Sequence, residues 1–251
     1  MSQVIIIGGG AAGMMAAIAA AGAGHKVCIY EKNEKLGKKI YITGKGRCNV
    51  TNACDTEELF QNVVHNAKFL YSSFYAFTNT DIMDLIEKHG CPLKTERGNR
   101  VFPVSDKSSD VIHALTAALR KLGVEMELHE EVADVLAEDG HVTGVRLKRG
   151  QKVVFADAVI VTTGGLSYPS TGSTGDGYRF AKELGHTITD LSPALVPFVA
   201  KEDVCKELQG LSLRNISVQI RNGKKVLYEE FGEMLFTHFG VSGPVLLSAS
   251  S

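Results

Sequence analysis

The apolar run Val4-Ile5-Ile6-Ile7 passes directly into Gly8-Gly9-Gly10, and Ala11 to Ala21 follows with almost no polar side chain. A short apolar strand, a glycine turn and an apolar helix leave a chain few options. Glycines at 8, 10 and 13 permit a tight turn, a close approach of backbone to a pyrophosphate, and close helix–strand packing. Glu31 then closes a second apolar strand, Lys26 to Tyr30, where an acid can accept hydrogen bonds from ribose hydroxyls. The order predicts a dinucleotide-binding βαβ unit with its helix over 10–21.

A chain of 251 residues has room for a core and a second lobe. Its formal charge of -1 supplies no global field for nucleic acid or an anionic membrane, so a small-molecule partner is expected. No apolar stretch reaches the ~18–20 residues of a membrane span. The first strand begins where a cleavable leader would lie, and a cytoplasmic location is expected. Five cysteines without a C-x-x-C pair argue against a disulfide framework and a structural zinc site, and eight scattered histidines form no helical metal pair. No metal is expected, so redox chemistry would need an organic cofactor.

Helical patterns cover 55–64, 67–77 and 81–89, the last with Asn79 and Thr80 as cap candidates, and a hairpin is expected around Glu96-Arg97-Gly98-Asn99. A capped helix over 109–122 leads to the third sheet strand, 124–128. Segments 132–137, 142–148 and 152–155 read as an antiparallel meander. The segment 158–162 returns as a buried apolar strand. A sheet crossed once by helices and once by a meander is the arrangement of flavin domains and not of the usual nicotinamide domain. After Pro193 the texture becomes β, with Asn222-Gly223 as a hairpin turn. The division expected is 1–192 and 193–251.

Two further segments carry chemistry. Lys38 to Asn52 gathers cations, amides and hydroxyls around Gly44 and Gly46, a backbone able to turn past a planar ligand. Read alone, Lys32, Lys35 and Lys38 are a solvated surface, whereas Arg47 and Asn49 favour a ligand. The second, Thr163 to Gly177, is a glycine-rich loop at the carboxyl end of a sheet strand, where open α/β sheets bind ligands.

GGGAAG, TGKGRCNVTN, Arg100-Val101-Phe102-Pro103, GGLSYPSTGSTGDGY, LQGLSL and GEMLFTHFGVSGP together resemble the BaiN-like flavoproteins, an aminoacetone-oxidase-type FAD-binding family. The resemblance spans essentially the whole chain. It implies a glutathione-reductase-like α/β Rossmann FAD domain with a β-meander crossover, and the start of an inserted β-rich domain. It places the pyrophosphate at Gly8, Gly10, Ala11, Ala12 and Gly13, and the ribose at Glu31 with Lys32 beside it. Lys39, Gly44, Gly46, Arg47, Cys48 and Asn49 would run along the FAD, and Thr163, Gly164, Gly165 and Asp176 would close the other side. Val132 would meet adenine through its backbone. Lys45 stands where the family frequently has glycine, and Thr162 where alanine is usual.

The resemblance also implies a flavin-dependent oxidoreductase passing hydride between FAD and a small organic substrate. NAD(P)H is the transient donor expected, and unsaturated oxo-steroids are one substrate class. An oxygen-using amine oxidase and a non-catalytic flavin-binding protein or inactive fragment remain alternatives. Tyr168, Cys48 and His238 are candidate acids, each with a structural alternative, and no catalytic residue is assigned. Family members continue past the equivalent of Ser251 with a strand and a helix aimed at the flavin ring. Loss of that helix pole would remove ~0.3–2 kcal/mol of charge stabilisation. The expectation is lower flavin absorbance after gel filtration for this chain than for a longer form, and equal occupancy would reject it.

Overall fold

The computed structural model describes all residues from Met1 to Ser251, which form two compact units, Met1–Ile188 and Thr189–Ser251. In the first unit β1 (Gln3–Ile7), α1 (Ala11–Gly22) and β2 (Lys26–Glu31) form the expected βαβ start. The short α2 (Lys38–Ile42) and β3 (Thr51–Asn52) follow, then α3 (Thr56–Gln61), α4 (Tyr71–Ala76) and α5 (Asn79–Lys88). The hairpin β4 (Leu93–Glu96) and β5 (Arg100–Pro103) leads into α6 (Ser108–Lys121) and β6 (Glu125–Leu128). The meander is β7 (Val132–Glu138), β8 (His141–Leu147) and β9 (Val153–Phe155), after which come β10 (Ala158–Val161) and α7 (Asp176–Glu183).

The main sheet has the order β10-β1-β2-β6, all parallel. The chain leaves β1 toward β2 and later returns to its opposite side as β10, so the strand order reverses at β1. A crevice opens at such a point beyond the strands' carboxyl ends. Side chains alternate across the sheet. Val4, Ile6, Val27 and Ile29 face Met14 and Ala17 of α1 and Leu115 and Leu119 of α6. Ile5, Ile7, Cys28 and Tyr30 face Val132, Val145 and Leu147 of the meander, with Phe180. Both faces are covered, which is why β1 is apolar at consecutive positions.

Several local expectations shift. The 158–162 strand lies at the sheet edge and is not buried, with Ile160 37% and Val161 41% exposed. The 67–77 pattern divides into a 3-10 turn, Ala67–Leu70, and α4. Helix α5 is capped by Thr78, not Asn79 or Thr80: Asp81 N–H donates to Thr78 Oγ1 and Thr78 N–H donates to Asp81. The threonine three residues before an acid makes the reciprocal box. Helix α6 begins without a side-chain cap. Helix α2 went unforeseen because a long-range contact starts it: Gly37, at φ +66, donates its N–H to Gly9 O at 2.8 Å.

The second unit contains β11 (Phe198–Val199), α8 (Val204–Glu207), β12 (Ser212–Asn222), β13 (Lys225–Thr237), β14 (Gly240–Ser242) and α9 (Pro244–Ala249). Its sheet order is β11-β14-β13-β12, all antiparallel. Asn222 pairs with Lys225, so the hairpin loop is Gly223-Lys224, one residue later than the Asn-Gly signal suggests. Gly223 takes the left-handed φ of +58, while Asn222 stays in the ladder.

Residue 13 sets how closely α1 approaches the first turn. A Cβ there would lie 1.9 Å from Gly8 O and 2.8 Å from Thr162 Oγ1. Gly13→Ala is expected to cost about 1–3 kcal/mol through overpacking. Gly22→Ala, where nothing lies within 4 Å, should stay within ~1 kcal/mol of the parent. Urea unfolding of the two variants checks the contrast.

Candidate functional site: a crevice at the carboxyl ends of the parallel strands

A crevice of about 370 Å³ opens where β1, β2 and β10 end, and the first unit alone lines it. Its floor is the start of α1. The amides of Ala11 and Ala12 have no protein acceptor, and both residues are exposed although apolar. Unsatisfied N–H groups at the positive pole of a helix form an anion site. Gly10 caps the helix, and a Cβ there would meet nothing within 4 Å, which leaves open space beside these donors.

Glu31, 7% exposed, holds the turn from the β2 side. Gly9 N–H donates to Oε2 at 2.6 Å, while Asn33 donates to Oε1 from its backbone at 2.7 Å and from Nδ2 at 2.6 Å. A carboxylate has about four lone-pair positions, so capacity remains for a ribose hydroxyl. Thr162 braces the third side, its hydroxyl 2.9 Å from the carbonyls of both Ile7 and Gly8.

Two lysines draw the 163–175 loop against this frame. Lys32 Nζ donates to Asp176 at 2.6 Å and to Thr174 at 2.7 Å, and Lys39 Nζ donates to Ser167 O at 2.8 Å and Ser173 Oγ at 2.7 Å. Burial alone would raise the Asp176 pKa, but Lys32 and Thr174 outweigh it and hold the carboxyl below its ordinary value. Gly164 adopts φ +75 against Ser173, and its missing Cβ would fall 2.5 Å from Ser173 Oγ.

Gly8, Gly10, Ala11, Ala12, Glu31, Lys32, Lys39, Val132, Thr163, Gly164 and Asp176 all line the crevice. Gly13 lies behind it, against Gly8, and Gly165 faces the Tyr178 hydroxyl. Gly44, Gly46, Arg47, Cys48 and Asn49 are off the lining, which that segment leaves at Thr43. Arg47 lies 4.1 Å above the Phe102 ring and donates to Glu96 at 2.5 Å and Asp106 at 2.6 Å. Asn49, with its amide oriented to satisfy both ends, donates to Thr51 O and Val101 O. Cys48 is buried in the α1-side core, and burial pushes its thiol up against an opposing hydrogen bond with Thr43. Tyr168 is 65% exposed on the loop, and His238 belongs to the second unit, edge-on to Phe239.

Asn33, Thr43, Thr162, Ser173 and Phe180 also line the crevice, though sequence reasoning did not single them out as ligand contacts. Asn33 follows Glu31 by two positions and Phe180 lies on the apolar stripe of α7. Thr43 and Ser173 had no signal beyond membership of their loops.

The HI0933-like protein Rossmann domain family matches residues 2–246. The chain belongs to that family. It is 35% identical over 246 residues to the 3-dehydro-bile acid delta(4,6)-reductase of Clostridium scindens, covering 97% of this chain and 58% of that protein. It is 32% identical over 249 residues to the ribosomal RNA dihydrouridine synthase of Escherichia coli, covering 99% of this chain and 60% of that one. The chain thus spans about 60% of the length of these curated relatives. Among solved structures it resembles 3-ketosteroid delta1-dehydrogenase from Sterolibacterium denitrificans, with TM-score 0.62, 14% identity, and coverage of 85% of this chain and 62% of the other. The fold is the Rossmann type of FAD-binding flavoenzymes.

The Lys32–Asp176 clasp titrates in a definite direction. A depressed carboxyl pKa contributes stability present above the ordinary value of 3.8 and lost as pH falls through the lower folded value. Asp176→Asn is expected to lower Tm at neutral pH. The difference from the parent should shrink as melts are repeated at increasing acidity below the ordinary carboxylate range.

Proposed function

We propose that the crevice holds FAD and that the protein is an oxidoreductase reducing a carbon–carbon double bond conjugated to a carbonyl. The observation that carries the cofactor reading is that two free amides, Ala11 and Ala12, and a braced acid, Glu31, line one crevice. The amides would hold the pyrophosphate, Glu31 the ribose, and the start of β7 at Val132 the adenine. Lys32 and Lys39 keep the 163–175 loop closed along the cofactor.

FAD supplies hydride exchange at its ring N5 when bound. The chain's contribution is orientation and exclusion of water: buried Ile7, Val132 and Phe180 wall the crevice with apolar surface, and the α1 amides balance phosphate charge. The acceptor gains one hydride and one proton, and the two electrons come from NAD(P)H. The names of both curated relatives support the acceptor class. Dihydrouridine is uridine with its ring double bond reduced, and a delta(4,6)-reductase acts on steroid double bonds.

Purified protein is expected to carry a yellow chromophore with the mass of FAD. NADH or NADPH should bleach it without oxygen, and a uridine-containing RNA or an unsaturated 3-oxo-steroid should restore it. Glu31→Ala should weaken FAD binding by about 10-fold or more, the scale of a lost charge-assisted hydrogen bond. A colourless protein that does not bind FAD in calorimetry would overturn the cofactor reading. Bound flavin reoxidised only by oxygen would overturn the acceptor reading.

A further inference from the structure

The whole-chain charge of -1 conceals a strongly uneven distribution. Residues 32–52 and 93–107 hold ten of the chain's 27 lysines and arginines, but only three of its 28 acids. The fold brings these segments together. Strand β3 pairs with β5, Arg47 bonds to Glu96 and Asp106, and Ser108 Oγ donates to Tyr41 O at 3.2 Å.

The three acids are already engaged. Glu34 pairs with Lys38, while Glu96 and Asp106 pair with Arg47 and Lys94. Lys35, Lys45, Arg97, Arg100 and Lys107 are exposed and have no carboxylate within ion-pair distance. Lys35 lies 4.1 Å over the Tyr41 ring, and Arg100 lies 5.9 Å from the ring of Phe102, the same ring that carries Arg47. The result is an exposed, uncompensated cationic surface on two segments that pack together. Its α2 portion continues into the crevice through Lys38, Lys39 and Thr43.

Lys45 adds an independent observation. It takes φ +58 and ψ +37 between Gly44 and Gly46, a conformation that costs a side-chain-bearing residue about 1–2 kcal/mol. Glycine would remove that strain, yet this position carries a cation directed to solvent.

We propose that this surface binds the phosphate backbone of an RNA strand and thereby brings a uracil base to the flavin. The inference rests on the flavin reading of the crevice. Cations spread over an exposed surface suit a chain of phosphates better than a single anion, and exposed Thr95, Asn99 and Ser105 between them supply sugar and phosphate hydrogen bonds. An anionic membrane fits less well, because Ile42 and Val104 are the only large apolar side chains exposed in these segments. The name of the Escherichia coli relative points to the same polymer.

The test uses the full chain with FAD added and a fluorescein-labelled, uridine-containing RNA hairpin, followed by anisotropy across a salt series. Lys45→Glu/Arg97→Glu/Arg100→Glu is expected to weaken binding at least tenfold and reduce the log–log salt slope by about 2, at ~0.7 for each phosphate no longer neutralised. Flavin content should not change. Lys201→Glu, an exposed reversal in the second unit, should leave RNA affinity unaltered. Lys45→Gly should raise Tm yet weaken RNA binding about two- to threefold, opposite directions that loss of folding cannot produce. Parent affinity retained by the triple variant overturns the proposal, as does binding to phosphatidylserine vesicles without binding to RNA. Flavin-loaded protein that reduces an oxo-steroid but ignores RNA overturns this inference and spares the flavin reading. RNA binding by a colourless protein that takes up no FAD overturns the flavin reading and with it delivery to the flavin.

Discussion

The contact between the backbone at Gly8 and the first turn of α1 governs the rest of the first unit. With no side chain at residue 13, the helix seats against Gly8 O, and its free amides face the space beyond β1. A wider separation would move that positive pole away from the strand ends. Thr162 reinforces the turn from β10, tying the edge strand to the same two carbonyls that end β1. The crevice is thus a consequence of close packing at the sheet's reversal point.

Glu31 and the two clasping lysines serve a common purpose through different physics. Glu31 directs its charge at backbone and amide donors inside the wall, which fixes the position of its carboxylate before any ligand arrives. Lys32 and Lys39 connect separate segments, and each spans more than a hundred residues of sequence. Lys32 meets a carboxylate whereas Lys39 meets neutral oxygens, so acid weakens only the first attachment directly. The loop can therefore loosen at its α7 end while α2 still holds it.

Arg47 joins segments that are distant in sequence. Its guanidinium stacks on Phe102 and joins two carboxylates, fastening the 43–49 turn to the β4–β5 hairpin. Engaging those acids leaves the neighbouring cations uncompensated. The same arrangement that rigidifies the hairpin creates the positive surface, and total charge gives no hint of it because the acids elsewhere in the chain mask it.

Features governed by near neighbours were readable directly from residue order. The apolar run before Gly8 and the acid after Tyr30 announced the βαβ unit, and alternating segments bounded by Asp139-Gly140 and Arg149-Gly150 announced the meander. Gly8, Ala11, Glu31 and Gly164 line one crevice for the same reason: strand ends and glycine turns carry local signals. Arg47 and Asn49 could be placed only in three dimensions, since their partners lie at Glu96, Asp106 and Val101. Helix α2, the edge position of β10 and the engagement of Lys39 by Ser173 likewise depended on distant segments. Local order specifies backbone conformation through sterics and periodicity, whereas the partner of a long polar side chain is decided by which remote segment packing brings within about 3 Å of it.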